Sequence, residues 1–121
     1  MPKHPIPELE NDSRSTDELI QTALEHYGSD LFYETAHVLQ YRGTREEFDA
    51  AKNLCESDDP HVRELGIYIL GMLGWDTPTF VEESGAILIG CLDDADEDII
   101  AAAATALGHR KLPSAIPALL K

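Results

Sequence analysis

One apolar segment occurs twice in related form, and this repetition constrains the fold more than any other feature. The run Val62–Gly74 aligns with Ile99–Gly108 when it is shifted by 37 residues. Each run follows an acidic turn, Asp58–Pro60 in the first case and Asp94–Asp96 in the second. A repeat of this length is typical of a helical solenoid, whose units stack because none can bury its apolar face alone.

A weaker third copy, Leu31–Gly43, aligns with the first run at a shift of 31 residues. Around these copies the chain divides into hairpins at about 30–57, 59–93 and 96–121, preceded by a helix that begins after Ser15. Residues 1–14 carry three prolines and no apolar period, so we expect a flexible arm. The sequence predicts an all-α fold, a right-handed α–α solenoid of about two and a half hairpins plus an N-terminal helix, forming a single domain over residues 15–121.

Helix starts are marked by capping sequences. Ser15 with Glu18 and Thr44 with Glu47 have the spacing of a capping box. Asp30 is predicted to cap the next helix, and Asp59 precedes a proline suited to a first helical turn.

The charge of the chain excludes several classes of partner. There are 23 acidic residues against nine lysines and arginines, a formal net charge of −14. Such a surface repels phosphate backbones and anionic lipids, so we expect no nucleic-acid or membrane partner. The acidic turns predict an acidic edge, which is either a solvated face or a docking surface for a basic partner. With two cysteines and no apolar leader, a cytoplasmic location is expected.

No catalytic or cofactor-binding pattern stands out. The acidic turn at Asp94 resembles the start of a calcium loop, but Ile99 and Thr105 occupy the positions that need glycine and a bidentate acid. Helix capping is therefore the better interpretation of these aspartates. Cys55 and Cys91 occupy similar places in successive repeats and are predicted to be buried structural thiols. We expect a protein that is not an enzyme and that binds no cofactor or metal.

These residues resemble the HEAT repeats, in particular the short bacterial type known from phycobilin-lyase subunits. The resemblance rests on Asp59, Val62-Arg63, Gly66 and two Leu-Gly pairs in the second repeat, with a related pattern in the third. It implies an armadillo-like superhelix acting as a non-catalytic scaffold that binds protein or peptide. The alternative that it implies is an accessory subunit of an enzyme, like the bilin lyases. It also implies an ion pair between Arg63 and an aspartate of a neighbouring turn.

Two surfaces are candidates for partner binding. By the same resemblance, the second helices of the hairpins line a binding face, and its polar candidates are Arg45, Glu46, Asp49, Asn53, Glu82 and Glu83. A second set, Tyr33, His37 and Tyr41, shares one helix face. This set is either an exposed recognition stripe or a surface that packs against the N-terminal helix.

Two further features leave alternatives open. Trp75 either fills a gap between repeats or forms an exposed anchor for a partner. The last repeat stops in mid-helix, so self-association through this unfinished C-terminal repeat, or continuation of the array, is expected.

Overall fold

The computed structural model describes residues 12–74 and 77–110, with the side chain of residue 110 left out. This part of the chain is helical and contains no strand, which confirms the all-α prediction. Its helices are α1 (Thr16–Glu25), α2 (Asp30–Arg42), α3 (Arg45–Cys55), α4 (Pro60–Gly71), α5 (Val81–Cys91) and α6 (Glu97–Arg110).

Most predicted helix starts are confirmed. The Ser15 hydroxyl accepts the Glu18 N–H at 3.1 Å, and Glu18 Oε1 accepts the Ser15 N–H at 2.9 Å. At α3 the Thr44 N–H donates to Glu47 Oε1 at 2.9 Å. At α4 the Asp59 carboxylate accepts the His61 N–H at 2.9 Å. These bonds satisfy donors that have no partner inside the helix.

The predicted cap of α2 is wrong by one residue. Ser29 is the N-cap, and Asp30 is the first helical residue. The Ser29 hydroxyl donates to the His26 carbonyl at 2.7 Å, so it serves the preceding turn. Asp30 is left in the first turn, where its charge favours the positive end of the helix dipole.

Helix α4 contacts each of the other five helices of the described chain. Successive contacts join α2 to α4 and α4 to α6, and another set joins α1 to α3 and α3 to α5. The apolar side chains of α4 are buried on several sides, as the sequence predicts for a middle repeat. Those below 2% exposure are Leu65, Ile67, Ile69 and Leu70, followed by Leu73 after the helix end.

Gly66 lets α3 and α4 approach closely. A Cβ placed on Gly66 would lie 2.7 Å from the Ala51 carbonyl oxygen and 2.9 Å from Cys55 Sγ. Both distances are too short to leave room for a methyl group on residue 66. The backbone of α4 therefore lies directly against α3.

Equivalent residues of the first two repeats meet in space. Gly43 and Gly74 both have positive φ, and a Cβ on Gly43 would lie 2.9 Å from Gly74 Cα. The Gly74 N–H donates to the Gln40 carbonyl at 2.7 Å, and the Thr79 hydroxyl donates to the Gly43 carbonyl at 2.7 Å. The shift of 31 residues seen in the sequence is thus also the register in which α2 and α4 lie side by side.

The ion pair that the resemblance implies for Arg63 is present. Its Nε lies 3.0 Å from Asp94 Oδ2, and Nη2 donates to Asp94 Oδ1 at 3.2 Å. Nη1 donates to the Ser57 carbonyl at 2.9 Å. The side chains are only 18% and 14% exposed. The pair ties the start of α4 to the turn between α5 and α6.

The end of the predicted arm contacts α2. Arg42 Nη2 donates to the carbonyls of Asp12 and Arg14, at 3.0 and 2.7 Å. Asp12 also pairs with the Arg14 guanidinium at 2.6 Å, and that hydrogen bond holds the pKa of the Asp12 carboxyl at about 2. The division into arm and hairpins otherwise remains a prediction. Residues 1–11, Trp75 and the unfinished repeat after residue 110 lie outside the described chain.

No helix in the described ranges has both the length and the apolar character needed to cross a bilayer.

The close approach at Gly66 predicts an asymmetric result for two glycine substitutions. Gly66→Ala should destabilise the fold by about 1–3 kcal/mol, because the added methyl overlaps α3. Gly90→Ala, in α5, meets nothing within 4 Å and should be neutral or stabilising by up to about 1 kcal/mol. Urea unfolding followed by circular dichroism measures both. Equal effects of the two substitutions would contradict the close contact.

Candidate functional site

A groove of about 270 Å³ opens on the surface formed by α2, α4 and α6. Its walls are largely apolar and aromatic. The residues that line it are Phe32, Tyr33, Glu64, Ile67, Tyr68, Gly71, Met72, Ala101, Ala102, Thr105, Ala106 and His109.

The repeat register explains which residues meet in the groove. Three residues spaced by four along α2 form what is called here the Tyr33 stripe. A shift of 31 residues aligns this stripe with three residues in and just after α4, and a further shift of 37 aligns those with three residues of α6. Seven of the nine residues in these stripes line the groove. The stripes are Tyr33, His37 and Tyr41; Glu64, Tyr68 and Met72; and Ala101, Thr105 and His109.

Two tyrosines form an aromatic corner at the α2 side of the groove. The Tyr33 and Tyr68 ring centroids are 5.3 Å apart, and the ring planes stand at 73°. Phe32 packs edge-on against Tyr33, with centroids 5.0 Å apart, and is almost fully buried. Tyr33 itself is 43% exposed. The corner therefore combines a buried support with a solvent-facing ring.

Tyr68 is joined to α2 by two hydrogen bonds, one through its side chain and one through its backbone. Its hydroxyl lies 3.0 Å from His37 Nε2, and its carbonyl accepts the Gln40 side-chain amide at 2.7 Å. Burial lowers the pKa of His37, an effect that the nearby Glu34 partly opposes. Burial also raises the pKa of Tyr68. Both groups are therefore neutral near pH 7.

Glu64 brings a carboxylate to the groove. Its Oε1 accepts the Tyr27 hydroxyl at 2.6 Å, and this bond is the main reason that the pKa of Tyr27 rises to about 12. The Tyr27 ring stacks on His61, with centroids 3.9 Å apart and planes 9° apart. The Glu64 carboxylate is thus held in place by the hydroxyl of Tyr27.

The remaining walls are small and apolar. Met72 is 39% exposed, and Ala101 and Ala102 line the groove on α6. Among the lining residues that belong to the described ranges there is no lysine or arginine, and His109 is the only titratable group there besides Glu64 and the tyrosines. The described walls therefore suit an apolar chain and a cation.

The six polar candidates on the second helices do not contribute to this groove. Arg45, Glu46, Asp49 and Asn53 are exposed on α3, and Glu82 and Glu83 are exposed in the first turn of α5. The Arg45 guanidinium lies 5.5 Å from the Phe48 ring centroid and 5.3 Å from that of Phe80. Their role in binding remains a prediction.

The three residues of the tyrosine–histidine stripe lie in different surroundings, and their role in binding remains a prediction. Tyr33 is exposed and lines the groove, whereas Tyr41 packs against the core. His37 is half-buried and bonds to Tyr68 of α4. Only one of the three side chains therefore lies on the groove surface.

The cysteines contact each other. Cys55 and Cys91 end α3 and α5, both are partly buried, and their thiols share a hydrogen bond that raises the pKa of Cys55 and lowers that of Cys91.

The turn aspartates serve as caps. Asp94 Oδ1 accepts the Asp96 N–H at 2.9 Å, and Asp96 Oδ1 accepts the Asp98 N–H at 2.8 Å. Across residues 12–74 and 77–110, no group of three or more His, Cys, Asp or Glu side chains is arranged to hold a metal ion.

Scans against protein-family models, curated proteins and solved structures gave no match to this chain. Function is therefore inferred from the groove itself. Sequence reasoning missed Glu64, Tyr68 and Met72 as groove residues. Continuing the Tyr33 stripe through the repeat register would have found all three, because the register aligns surface positions as well as core positions.

The environment of His37 predicts its titration. Its imidazole should titrate below pH 6.5 in the folded protein, because burial disfavours the charged ring. As the pH falls below 6.5, the unfolded chain is protonated there first, so His37 lowers the stability of the fold on the acid side. Proton NMR of the ring resonances, assigned with a His37→Gln variant, measures the midpoint. A midpoint at or above 6.5 would contradict the burial.

Proposed function

We propose that the protein is a non-catalytic scaffold that binds a protein or peptide in the groove across α2, α4 and α6. The observation that carries this proposal is an open, largely apolar groove whose described lining includes one carboxylate and no lysine or arginine. A concave, mainly apolar surface with a few convergent polar groups is the usual place for a ligand or a partner's side chain to bind. No catalytic grouping was found in the sequence, and the groove itself offers no nucleophile paired with a base.

We also propose a HEAT-like right-handed solenoid for the described helices. Support comes from the contacts of α2 with α4 and of α4 with α6, and from the meeting of repeat-equivalent residues such as Gly43 and Gly74. The Arg63–Asp94 pair between neighbouring turns adds to this support. In such an array the surface residues of successive repeats form a continuous binding face.

The size of the groove favours side chains of a peptide over a large cofactor. A cavity of about 150 Å³ holds benzene, so about 270 Å³ holds one long side chain or two small ones. Pockets for drug-sized ligands are about 300–1,000 Å³. A tetrapyrrole needs more space than this groove offers, so the bilin-lyase-like alternative gains no support from it.

The charge of the chain favours a basic partner. With a net charge of −14, a cationic partner is attracted over distances comparable to the Debye length, about 8 Å at physiological salt. Association should therefore slow as salt is added. An aqueous, cytoplasmic setting is part of this proposal.

A groove-filling substitution tests the site. Peptides selected from a random display library on the intact protein should lose at least tenfold in affinity for Ala101→Phe, because the ring occupies the groove. Ala86→Phe, at an exposed position of α5, is the matched control and should bind normally. Isothermal titration calorimetry measures the affinities, and circular dichroism checks that both variants fold.

Charge reversal separates the groove from the face of the second helices. If Glu82→Lys with Glu83→Lys abolishes binding while Ala101→Phe leaves it intact, the binding face lies on α5 and the groove proposal is wrong.

A further inference from the structure

We infer that the corner formed by Tyr33, Tyr68 and Glu64 is a subsite for an alkylammonium group, the head of a lysine side chain with or without N-methylation. This inference rests on the proposed function, since it assigns one chemical feature to the peptide that occupies the groove. It is more specific than attraction to a basic surface, because it names the group and the side chains that contact it.

The aromatic rings supply the first half of the subsite. Tyr33 and Tyr68 both line the groove and stand at 73° to each other. Two rings at nearly right angles form a corner in which a cation can lie over one face and against the neighbouring ring. The ring quadrupole attracts a cation within about 6 Å of the centroid, and compact quaternary ammonium groups suit this arrangement.

Glu64 supplies the second half. The carboxylate lines the same groove and is held by the Tyr27 hydroxyl through Oε1 at 2.6 Å. An ionised carboxylate offers about four lone-pair sites, so this single bond leaves it able to accept from a protonated amine. A trimethylammonium group has no N–H, and the carboxylate attracts it through charge alone. The carboxylate is therefore positioned before a ligand arrives, and the described lining of the groove contributes no lysine or arginine that would pair with it.

The apolar wall explains why the cation should sit on an alkyl chain. Met72, Ala102 and Ala106 continue the groove from the aromatic corner across α4 and α6. The four-carbon stem of lysine packs along apolar surface while its charged head remains at a polar site. The groove supplies a polar corner for the charged head and, next to it, an apolar wall for the stem.

The carboxylate geometry favours lysine over arginine. Guanidinium groups bind best in a bidentate manner to both oxygens of a carboxylate. At Glu64 one lone pair of Oε1 already accepts the Tyr27 hydroxyl at 2.6 Å, which restricts the directions from which a guanidinium can reach both oxygens at once. A compact ammonium group needs only one free acceptor and the ring faces, so it matches the corner better.

The test compares two peptides that differ only in charge. One carries Nε-trimethyllysine between two alanines on each side, and the other carries its neutral tert-butyl isostere at the same position. Both are titrated into the intact protein while ¹H–¹⁵N NMR shifts and affinities are recorded. The cationic peptide should bind roughly 2-fold to 30-fold more tightly, the range expected for a cation–π contact.

Substitutions then assign the preference to the corner. Tyr33→Leu and Glu64→Gln should each remove most of the difference between the two peptides. Glu82→Gln, the same charge change at an exposed site on α5, should leave it unchanged. Tyr33 is exposed, so its substitution is tolerated by the core, and chemical-shift dispersion confirms folding.

The possible outcomes separate this inference from the proposed function. If both peptides bind equally and Ala101→Phe blocks both, the groove binds peptides but the ammonium subsite is wrong. Shifts confined to α3 and α5 would overturn the inference, as would the absence of binding by the cationic peptide. Library peptides that bind the groove yet carry no lysine would overturn it while leaving the scaffold proposal in place.

Discussion

The close contact between α3 and α4 at Gly66 is the constraint on which the rest of the structure depends. The absence of a side chain at Gly66 lets the α4 backbone lie against the Ala51 carbonyl and Cys55. With α3 on that side, α4 still has apolar residues around most of its circumference, and they are covered by α1, α2, α5 and α6. A helix that is apolar nearly all round is stable only at such a central position.

The groove arises because side chains change in size along one surface. At the three repeat-equivalent positions that begin the stripes, α2 has Tyr33, α4 has Glu64 and α6 has Ala101. Some core positions keep their size across the repeats, as Leu39, Leu70 and Leu107 do, whereas the positions that begin the stripes differ widely. The large residue at one end and the small one at the other leave a hollow between them. The repeat thus sets the positions of the helices, and the differences in side-chain size between repeats form the groove.

Much of the fold could be predicted from the sequence because its determinants are local. The Ser15 cap, the αL glycine at Gly43 and the proline start of α4 depend on a few neighbouring residues. The Arg63 pair came from the family resemblance and is present. The cap at Asp30 was misassigned because Ser29 and Asp30 are both good cap residues, and the backbone of the preceding turn decides between them.

The site was harder to predict because it depends on which apolar residues remain uncovered. Tyr68 lies in α4 and Met72 directly follows it, in a stretch that is apolar nearly all round, yet Met72 is 39% exposed and Tyr68 lines the groove. The hydrophobic period shows which face of a helix is apolar, but it does not show whether another helix packs over that face. The cover of α4 depends on α6, whose alanines are too short to reach across the groove.

The acidic side chains fall into two groups according to what surrounds them. Several turn aspartates that dominate the sequence accept backbone N–H bonds, and Asp94 is also paired with Arg63. The carboxylates of these aspartates are engaged in hydrogen bonds and an ion pair that belong to the fold. Glu64 has another role, since its carboxylate is held beside aromatic rings and faces an apolar groove. An ion in such partly desolvated surroundings interacts more strongly than one in water. In the binding mode proposed above, the preference for an ammonium group should therefore depend on this one carboxylate, while the net charge of −14 acts on the approach of a basic partner.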